Sequence, residues 1–501
     1  MSATLNSSLP LLLVLLPAVF GVLILGLPKK WKLAGAVFAA VGAASTLVRS
    51  LLALGQSLEF TRAWAGWGMD FSLKLTVQND AMVVAAAALT LVVAAYTVFS
   101  KSNAHGKVFD ASMMFALTMA NGALMANNLV AMLFFWQAMW APVFGMIQAG
   151  GENSWKASVK AVFTAGFADL TMILGIGFAS LSAESMTMDA MHVPATALGT
   201  AGFLLMAVGA IGKLGAIPFH GWLYQASEDA PSPFMGLIPG GLNLLMGANL
   251  LSKFSGMFDA NAGAMFAVLL VGAGTVVLAG MLAMSAGGFK KLAIALNVAQ
   301  GGALVLGATS VAGGAFVYAA IVAAAAGCCL YLTADALEKG KAGGPAASSL
   351  LFYVAAGAAA AVVFTGALYR IALYESWLGL IFSVVALIGA IFAASGVVGM
   401  IRAGRNASLQ SEPAFDLGGA QTWLDRTRCD PYPAAASCVK AYSNVSLKVN
   451  DAISWFYDVG VVWFVGFLSS LVKRAHNGNQ SRYVLWVLFG AVVVIAIFAL
   501  S

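Results

Sequence analysis

Residues 208–223 read VGAIGKLGAIPFHGWL. They set a cation, Lys213, inside an apolar run that Gly215 and Pro218 then interrupt. A charge at mid-bilayer costs at least about 2.5–3.5 kcal/mol on insertion scales, so a lysine there needs a chemical reason. It is an unusual choice for a static ion pair, because burial changes its protonation readily. Interrupted helices in membrane spans line cavities, where protein or water must satisfy the freed backbone groups. The chemistry on offer is proton transfer at a titratable lysine beside a hydrated break. Asp169, mid-span in KAVFTAGFADLTMILGIGF, is the second intramembrane charge. The two read either as a static buried pair or as a proton or cation site, and the second reading is carried forward.

Weaker polar signals accompany them. Gln137 sits in LFFWQAMW, and Asn121, Asn243, Asn249, Asn297 and Gln300 lie in other apolar runs. Such amides serve as glue between helices or line a path. Asp335, in CCLYLTADAL, and Arg370, in VVFTGALYRIALYES, lie near span ends, from which a long side chain can snorkel. The four cysteines match no metal or redox spacing, and no iron–sulfur or haem motif is present. Redox chemistry, where it occurs, belongs to partner subunits.

The elements that must position these groups follow from composition. Of 501 residues, 61% are hydrophobic and 9% charged, against roughly 25% charged in soluble domains. Mean hydropathy is +0.90. Apolar runs of about 20 residues match helices crossing about 30 Å of hydrocarbon, and they lack the ten-residue alternation of a barrel. Spans are expected near 9–27, 31–54, 81–100, 110–127, 129–148, 155–181, 199–217, 234–254, 263–284, 288–308, 312–337, 348–370, 377–404, 459–475 and 482–500. In the first, positive charges follow the apolar run, where a signal peptide has them in front, so it reads as a retained helix.

Four regions result. Residues 1–80 hold two helices and an outward hairpin within 55–80. Residues 81–404 form the helical core. Residues 405–457 are a polar connector with amphipathic character, and 458–501 form a C-terminal helix pair. Lys and Arg crowd the loops on one side, which places the N-terminus outside and the C-terminus inside.

The stretch KLGAIPFHGWLYQASEDAPSPFMGLI resembles the signature of the antiporter-like, proton-translocating membrane subunits of respiratory complex I. These are shared with Mrp-type cation/proton antiporters and energy-converting membrane-bound hydrogenases. FSLKLTVQNDAM, LFFWQAMWAPVFGMI, GFADLTMILG, FKKLAIALNVAQGG and FTGALYR add to the match in the right order, over roughly residues 60–400. The spans make an all-α integral membrane protein of 14–15 transmembrane helices, which agrees with the resemblance. The resemblance also implies two inverted five-helix repeats, about 110–254 and 263–404, with the seventh and twelfth helices broken.

It further implies a subunit that couples electron transfer in its partners to proton movement through the bacterial or archaeal cytoplasmic membrane. Iron–sulfur clusters, quinone or a nickel–iron site would reside in those other membrane and peripheral subunits, and none in this chain. Lys213 falls on the family's lysine of the seventh helix, Asp169 on an acidic position of some members, and Arg370 on the lysine of the twelfth. His220, Glu228 and Asp229 match the loop after the break, beside Gly215 and Pro218, and Gly366 marks the second break.

Departures are substantial. Gln137 replaces a glutamate. Pro239 and Leu245 replace a histidine and the central lysine, and Ala323 and Gly327 replace a second His–Lys pair. The proline before Gly366 is missing. Gln137 cannot ionise and Arg370 holds its proton at any ordinary pH, so neither relays protons by titrating. A path through Gln300, Asn243 and Asn297 is the substitute. Asp335 reads either as a displaced relay acid or as an acid on the inner surface. The expected function is a redox-driven proton pump subunit with a partly degenerate lateral relay. The alternatives are a non-pumping coupling subunit and the membrane half of a proton-driven inorganic-carbon uptake complex.

Overall fold

The computed structural model describes residues 8–28, 31–64, 70–99, 106–259, 261–308, 313–339, 346–373, 377–405, 430 and 432–475. It divides into two compact units, Met1–Pro431 and Tyr432–Ser501.

The first unit opens with α1 (Leu9–Gly26) and α2 (Lys32–Ala53), then an antiparallel hairpin, β1 (Leu58–Arg62) and β2 (Phe71–Leu75), in register Leu58 to Leu75. α3 (Asp80–Phe99) follows. Five spans come next: α4 (Gly106–Met125); α5 and α6 (Leu129–Ala138, Trp140–Gln148); α7 (Ser154–Ser182); α8 and the short α9 (Ala197–Lys213, Gly221–Asp229); and α10 and α11 (Ser232–Leu237, Asn243–Met257). Five more complete the unit: α12 (Ala262–Met284), α13 (Phe289–Ala308), α14 (Gly313–Lys339), α15 (Ala346–Leu373) and α16 (Trp377–Arg405).

Burial explains why these helices belong in lipid. On α7, Phe167, Leu170 and Leu174 are exposed, while Ala165, Ala168, Asp169 and Met172 face inward. Bulky apolar groups cover the outside and small or polar groups the inside, the pattern of helices packed within a bilayer. Among the described residues, twelve helices are long and apolar enough to cross a membrane. The chain is a multi-pass membrane protein.

The spans differ in places from the sequence expectation of fifteen. The span near 199–217 stops early, since α8 is 17 residues and ends at Lys213. The stretch near 459–475 holds only a shorter apolar segment, and the span near 482–500 lies outside the described residues. The break expected in the twelfth helix is absent: α15 is continuous through Gly366. No proline occurs between residues 346 and 373 to remove a helical hydrogen bond, which accounts for the continuity. The span near 234–254 instead contains a π-turn at Ile238–Leu242, opened by Pro239.

Polar side chains close the junction between α4 and α5. Leu73 of β2 bridges to Ala126, and Asn79 and Asn249 both donate to the Leu124 carbonyl at 3.0 and 3.2 Å. Lys253 donates to the Ala126 carbonyl at 2.8 Å. Side-chain donors thereby satisfy the Leu124 and Ala126 carbonyls at the end of α4.

The second unit comprises α17 (Tyr432–Trp455), a π-turn at Phe456–Val461 and α18 (Val462–Ala475). Of the 405–457 connector, residues 406–429 lie outside the described residues.

Candidate functional site

Small residues bring α7 and α8 into close contact. Gly175 faces the Met206 backbone, Gly202 faces Ala179, Gly209 faces Met172 and Gly212 faces Ala168, each with no room for a side chain. Such stripes let membrane helices approach backbone to backbone. Asp169 follows Ala168 and Lys213 follows Gly212, so the tight contact sets the two charges level. Lys213 Nζ lies 3.8 Å from Asp169 Oδ2, and the side chains are 3% and 2% exposed.

Two tryptophans complete the site. Trp136 in α5 and Trp140 at the start of α6 are four residues apart, so they share a helix face. Their indole N–H groups donate to Asp169 Oδ1 and Oδ2, each at 2.7 Å. Their ring faces receive the Lys213 ammonium, 4.9 and 5.1 Å from the two centroids, within cation–π range. At 3.8 Å the Lys213–Asp169 contact is an ion pair without hydrogen-bond geometry. The carboxylate's directional bonds go to the indoles, while the ammonium is held by charge and by two π faces.

The break after Lys213 closes its own hydrogen bonds. Ala216 N–H donates to the Ile211 carbonyl and Gly215 N–H to the Gly212 carbonyl, both at 3.2 Å. Gly215 has φ +65°. This is a Schellman end, which needs a left-handed residue and favours glycine. The sequence reading expects unpaired backbone groups here; the motif satisfies them. The backbones of Leu214 and Gly301 in α13 are too close for a side chain at residue 301, so protein walls this part of the break.

The loop residues then diverge. Pro218 is exposed and His220 is buried, its ring edge-on to Tyr224 at 6.1 Å. Glu228 is exposed, and Asp229 accepts from Gln225 at 3.1 Å, both at the far end of α9. They take no part in the Lys213–Asp169 site. Gln137 is half-buried, and its Nε2 has no hydrogen-bond partner among the described residues. It follows Trp136, about 100° around the helix, so the indole and not the amide meets Asp169.

At the centre, Asn297 Nδ2 donates to the Pro239 carbonyl at 3.3 Å. Gly327 of α14 packs on Gly240 of the π-turn: a Cβ at residue 327 would lie 2.9 Å from Asn297 Oδ1 and closer still to the Gly240 carbonyl. Leu245 is fully buried. Gln300 is also fully buried, and neither of its amide atoms is bonded to a described residue; the same holds for Asn243 Oδ1 and the Tyr331 hydroxyl.

Asp335 is not an acid on the inner surface. Its side chain is 2% exposed and pairs with Lys290 Nζ at 3.5 Å. Lys290 also lies 3.5 Å from Glu338 and is one-third exposed. Gly327, Tyr331 and Asp335 recur every four residues on α14, so the face that closes the centre carries Asp335 toward the edge. Gly366 lies within α15, 3.8 Å from the Ala303 side chain if given a Cβ. Arg370 lies in the last turn of α15, with its side chain outside the described residues.

Sequence reasoning missed Trp136, Trp140 and Lys290. A signal for the first two was available in WQAMW: an indole N–H in a membrane span needs a partner, and two on one face need a shared one.

Residues 126–336 match the family described as NADH:quinone oxidoreductase/Mrp antiporter, transmembrane. The subunit L of the NADH-quinone oxidoreductase of Neisseria meningitidis is 26% identical over 274 residues, covering 50% of this chain and 40% of that protein. The Na(+)/H(+) antiporter subunit A1 of Staphylococcus aureus is 24% identical over 272 residues, covering 52% and 33%. The chain thus spans well under half the length of either. In fold it is similar to a chain of the Mrp complex from Dietzia, with TM-score 0.69, 17% identity and coverage of 82% and 81%. A chain of respiratory complex I from Thermus thermophilus has TM-score 0.64, 20% identity and coverage of 83% and 92%. A chain of the archaeal membrane-bound sulfane sulfur reductase has TM-score 0.61, 15% identity and coverage of 80% and 96%. Residues 126–336, the stretch that holds Asp169 and Lys213, are thus similar to the transmembrane region shared by NADH:quinone oxidoreductases and Mrp antiporters.

Proposed function

We propose that this chain is the ion-translocating membrane subunit of a complex I-like assembly, with Lys213 and Asp169 as its proton site. One observation carries the reading: a lysine and an aspartate, both almost fully buried, meet at the end of an interrupted helix. Burying two charges costs several kcal/mol per ion, and hydrophobic replacements are often as stable, so a stability role accounts poorly for the pair.

The redox drive is supplied by partner subunits, which hold the iron–sulfur, quinone or nickel–iron chemistry. Lys213 is the exchanging group and Asp169 its fixed counter-charge. Beyond Lys213 the buried amides of Gln300, Asn297 and Asn243 and the Tyr331 hydroxyl offer donors and acceptors that water can join. Leu245 and Gly327 leave no titratable side chain at the family's central positions. Transport in this chain is therefore local to the first five-span repeat, without a lateral lysine relay to Asp335 and Lys290. A second reading, a non-pumping coupling subunit, is favoured by the packed Gly240–Gly327 contact at the centre.

Substitution decides between them. The intact complex carrying Lys213→Ala is purified, reconstituted into vesicles and supplied with its electron donor. The expected result is normal assembly and electron transfer with proton uptake at background. Proton uptake at the unsubstituted rate would favour the coupling subunit.

A further inference from the structure

We infer that Trp136 and Trp140 are positioning residues for ion transport: their two indole N–H groups clamp the Asp169 carboxylate, so that the anion stays in place while the Lys213 ammonium exchanges or moves. The inference rests on the reading of Lys213 and Asp169 as the proton site.

Geometry carries it. Each carboxylate oxygen of Asp169 accepts one indole N–H at 2.7 Å, the short distance of a charge-assisted bond. Both donors sit on one helix face, and α5 gives way to α6 at Met139, between them, so each indole reaches a different oxygen. The ammonium has no such tie. It stands 3.8 Å from Oδ2, beyond hydrogen-bond range, and about 5 Å from each ring centroid. Attraction between an ammonium and an indole face is electrostatic and weakly directional, so Lys213 can shift without breaking a hydrogen bond.

The two parts of the pair thus differ in mobility. Loss of the Lys213 proton leaves Asp169 with both N–H donors, which stabilise the carboxylate form. An aspartate without these donors would follow the lysine or take up its proton and collapse the pair. The indole rings have a second role as a low-polarity sleeve around the ammonium. Phenylalanine at either position keeps a ring face and removes the N–H, which separates the two roles.

The test uses the intact complex with Trp136→Phe, Trp140→Phe, Trp136→Leu and Asp169→Asn. Proton uptake in vesicles is measured with each. The Asp169 carboxylate stretch is located by infrared spectroscopy as the band lost in Asp169→Asn. The expected result is that either Phe variant moves that band and slows uptake by about tenfold to a hundredfold, the loss appropriate to one hydrogen bond to a charged group. A band unmoved in both Phe variants would overturn the clamp, as would full-rate uptake in the Phe variants with loss only in Trp136→Leu. The band is readable in a transport-dead protein. Failure of the clamp is thus distinct from failure of the transport reading, which Lys213→Ala alone decides.

Discussion

Asp169 and Asp335 are equally hidden, each with a side chain 2% exposed, yet they differ in what holds them. Asp169 is gripped by two indoles, and its lysine is as buried as itself. Asp335 meets a lysine that is one-third exposed and shared with Glu338. Depth of the acid does not distinguish the two sites; access of the cation to solvent does. Lys290, one-third exposed, stands in direct contact with solvent. Lys213 is almost as buried as its acid and lacks that open contact with solvent.

The largest expected effect tests whether that difference is energetic. Asp169→Ala leaves a buried ammonium and two indole N–H groups without an acceptor. Removing one partner of a buried pair costs about 3–5 kcal/mol. Asp335→Ala leaves Lys290 with Glu338 and solvent, as expected for a partly exposed pair worth about 1 kcal/mol or less. Thermal dissociation of the purified complex, compared between the two variants, measures the gap. Equal losses would mean that the two sites differ only in position.

A smaller effect concerns the boundary between the regions. Gly327 occupies the place of a relay lysine in the similar family, and any side chain there meets the Gly240 carbonyl and Asn297 Oδ1. Gly327→Lys is therefore expected to destabilise by the cost of overpacking, about 1–3 kcal/mol, without raising the proton uptake rate. A Gly327→Lys complex that is stable and pumps faster would show that the centre opens and that the two regions communicate.

How much of this contrast is legible in the sequence depends on whether a residue's role is local. The spans, Lys213, Asp169 and the break at Gly215 are local: hydropathy and a Gly–Pro interruption announce them. Partnership is not local. Nothing in LFFWQAMW says that the indoles rather than Gln137 reach Asp169, because that depends on rotation of α5 and on the Ala168–Gly212 approach from another pair of helices. Asp335 misled for a related reason. Its place near the end of a span suggests an acid on the inner surface, but the neighbouring α13 brings Lys290 against it. The twelfth helix was expected to break on resemblance alone, and its own residues, with no proline, already argue for continuity.

Gln137→Glu sharpens the assignment of partners at still lower cost. If the indole face alone meets Asp169, a carboxylate at residue 137 points away, and the pH profile of proton uptake stays in place. A displaced profile would mean that residue 137 reaches Lys213 and that three helices share the site.

The smallest expected effect comes from a third pair, outside the spans. Lys74 on β2 hydrogen-bonds Asp189, and both are partly exposed. That hydrogen bond, together with the charges of Asp189 and Glu59 and against a desolvation cost, holds the Lys74 ammonium above its ordinary pKa of 10.5. A raised folded-state value makes the pair's contribution complete below the ordinary lysine pKa and lost as pH rises through the raised one. Lys74→Met should therefore lower stability by at most about 1 kcal/mol at neutral pH, and the deficit should vanish as pH rises through the raised Lys74 value. Salt at 1 M, with a screening length of about 3 Å, should shrink it as well. The Asp169→Ala deficit should persist in the same salt, because a pair walled by indoles is beyond the reach of counterions. Thermal dissociation of both variants at low and high salt reads the two responses. A loss at Asp169 that salt screens as readily as the loss at Lys74 would place solvent at the Lys213 site and remove the distinction between a buried pair and an edge pair.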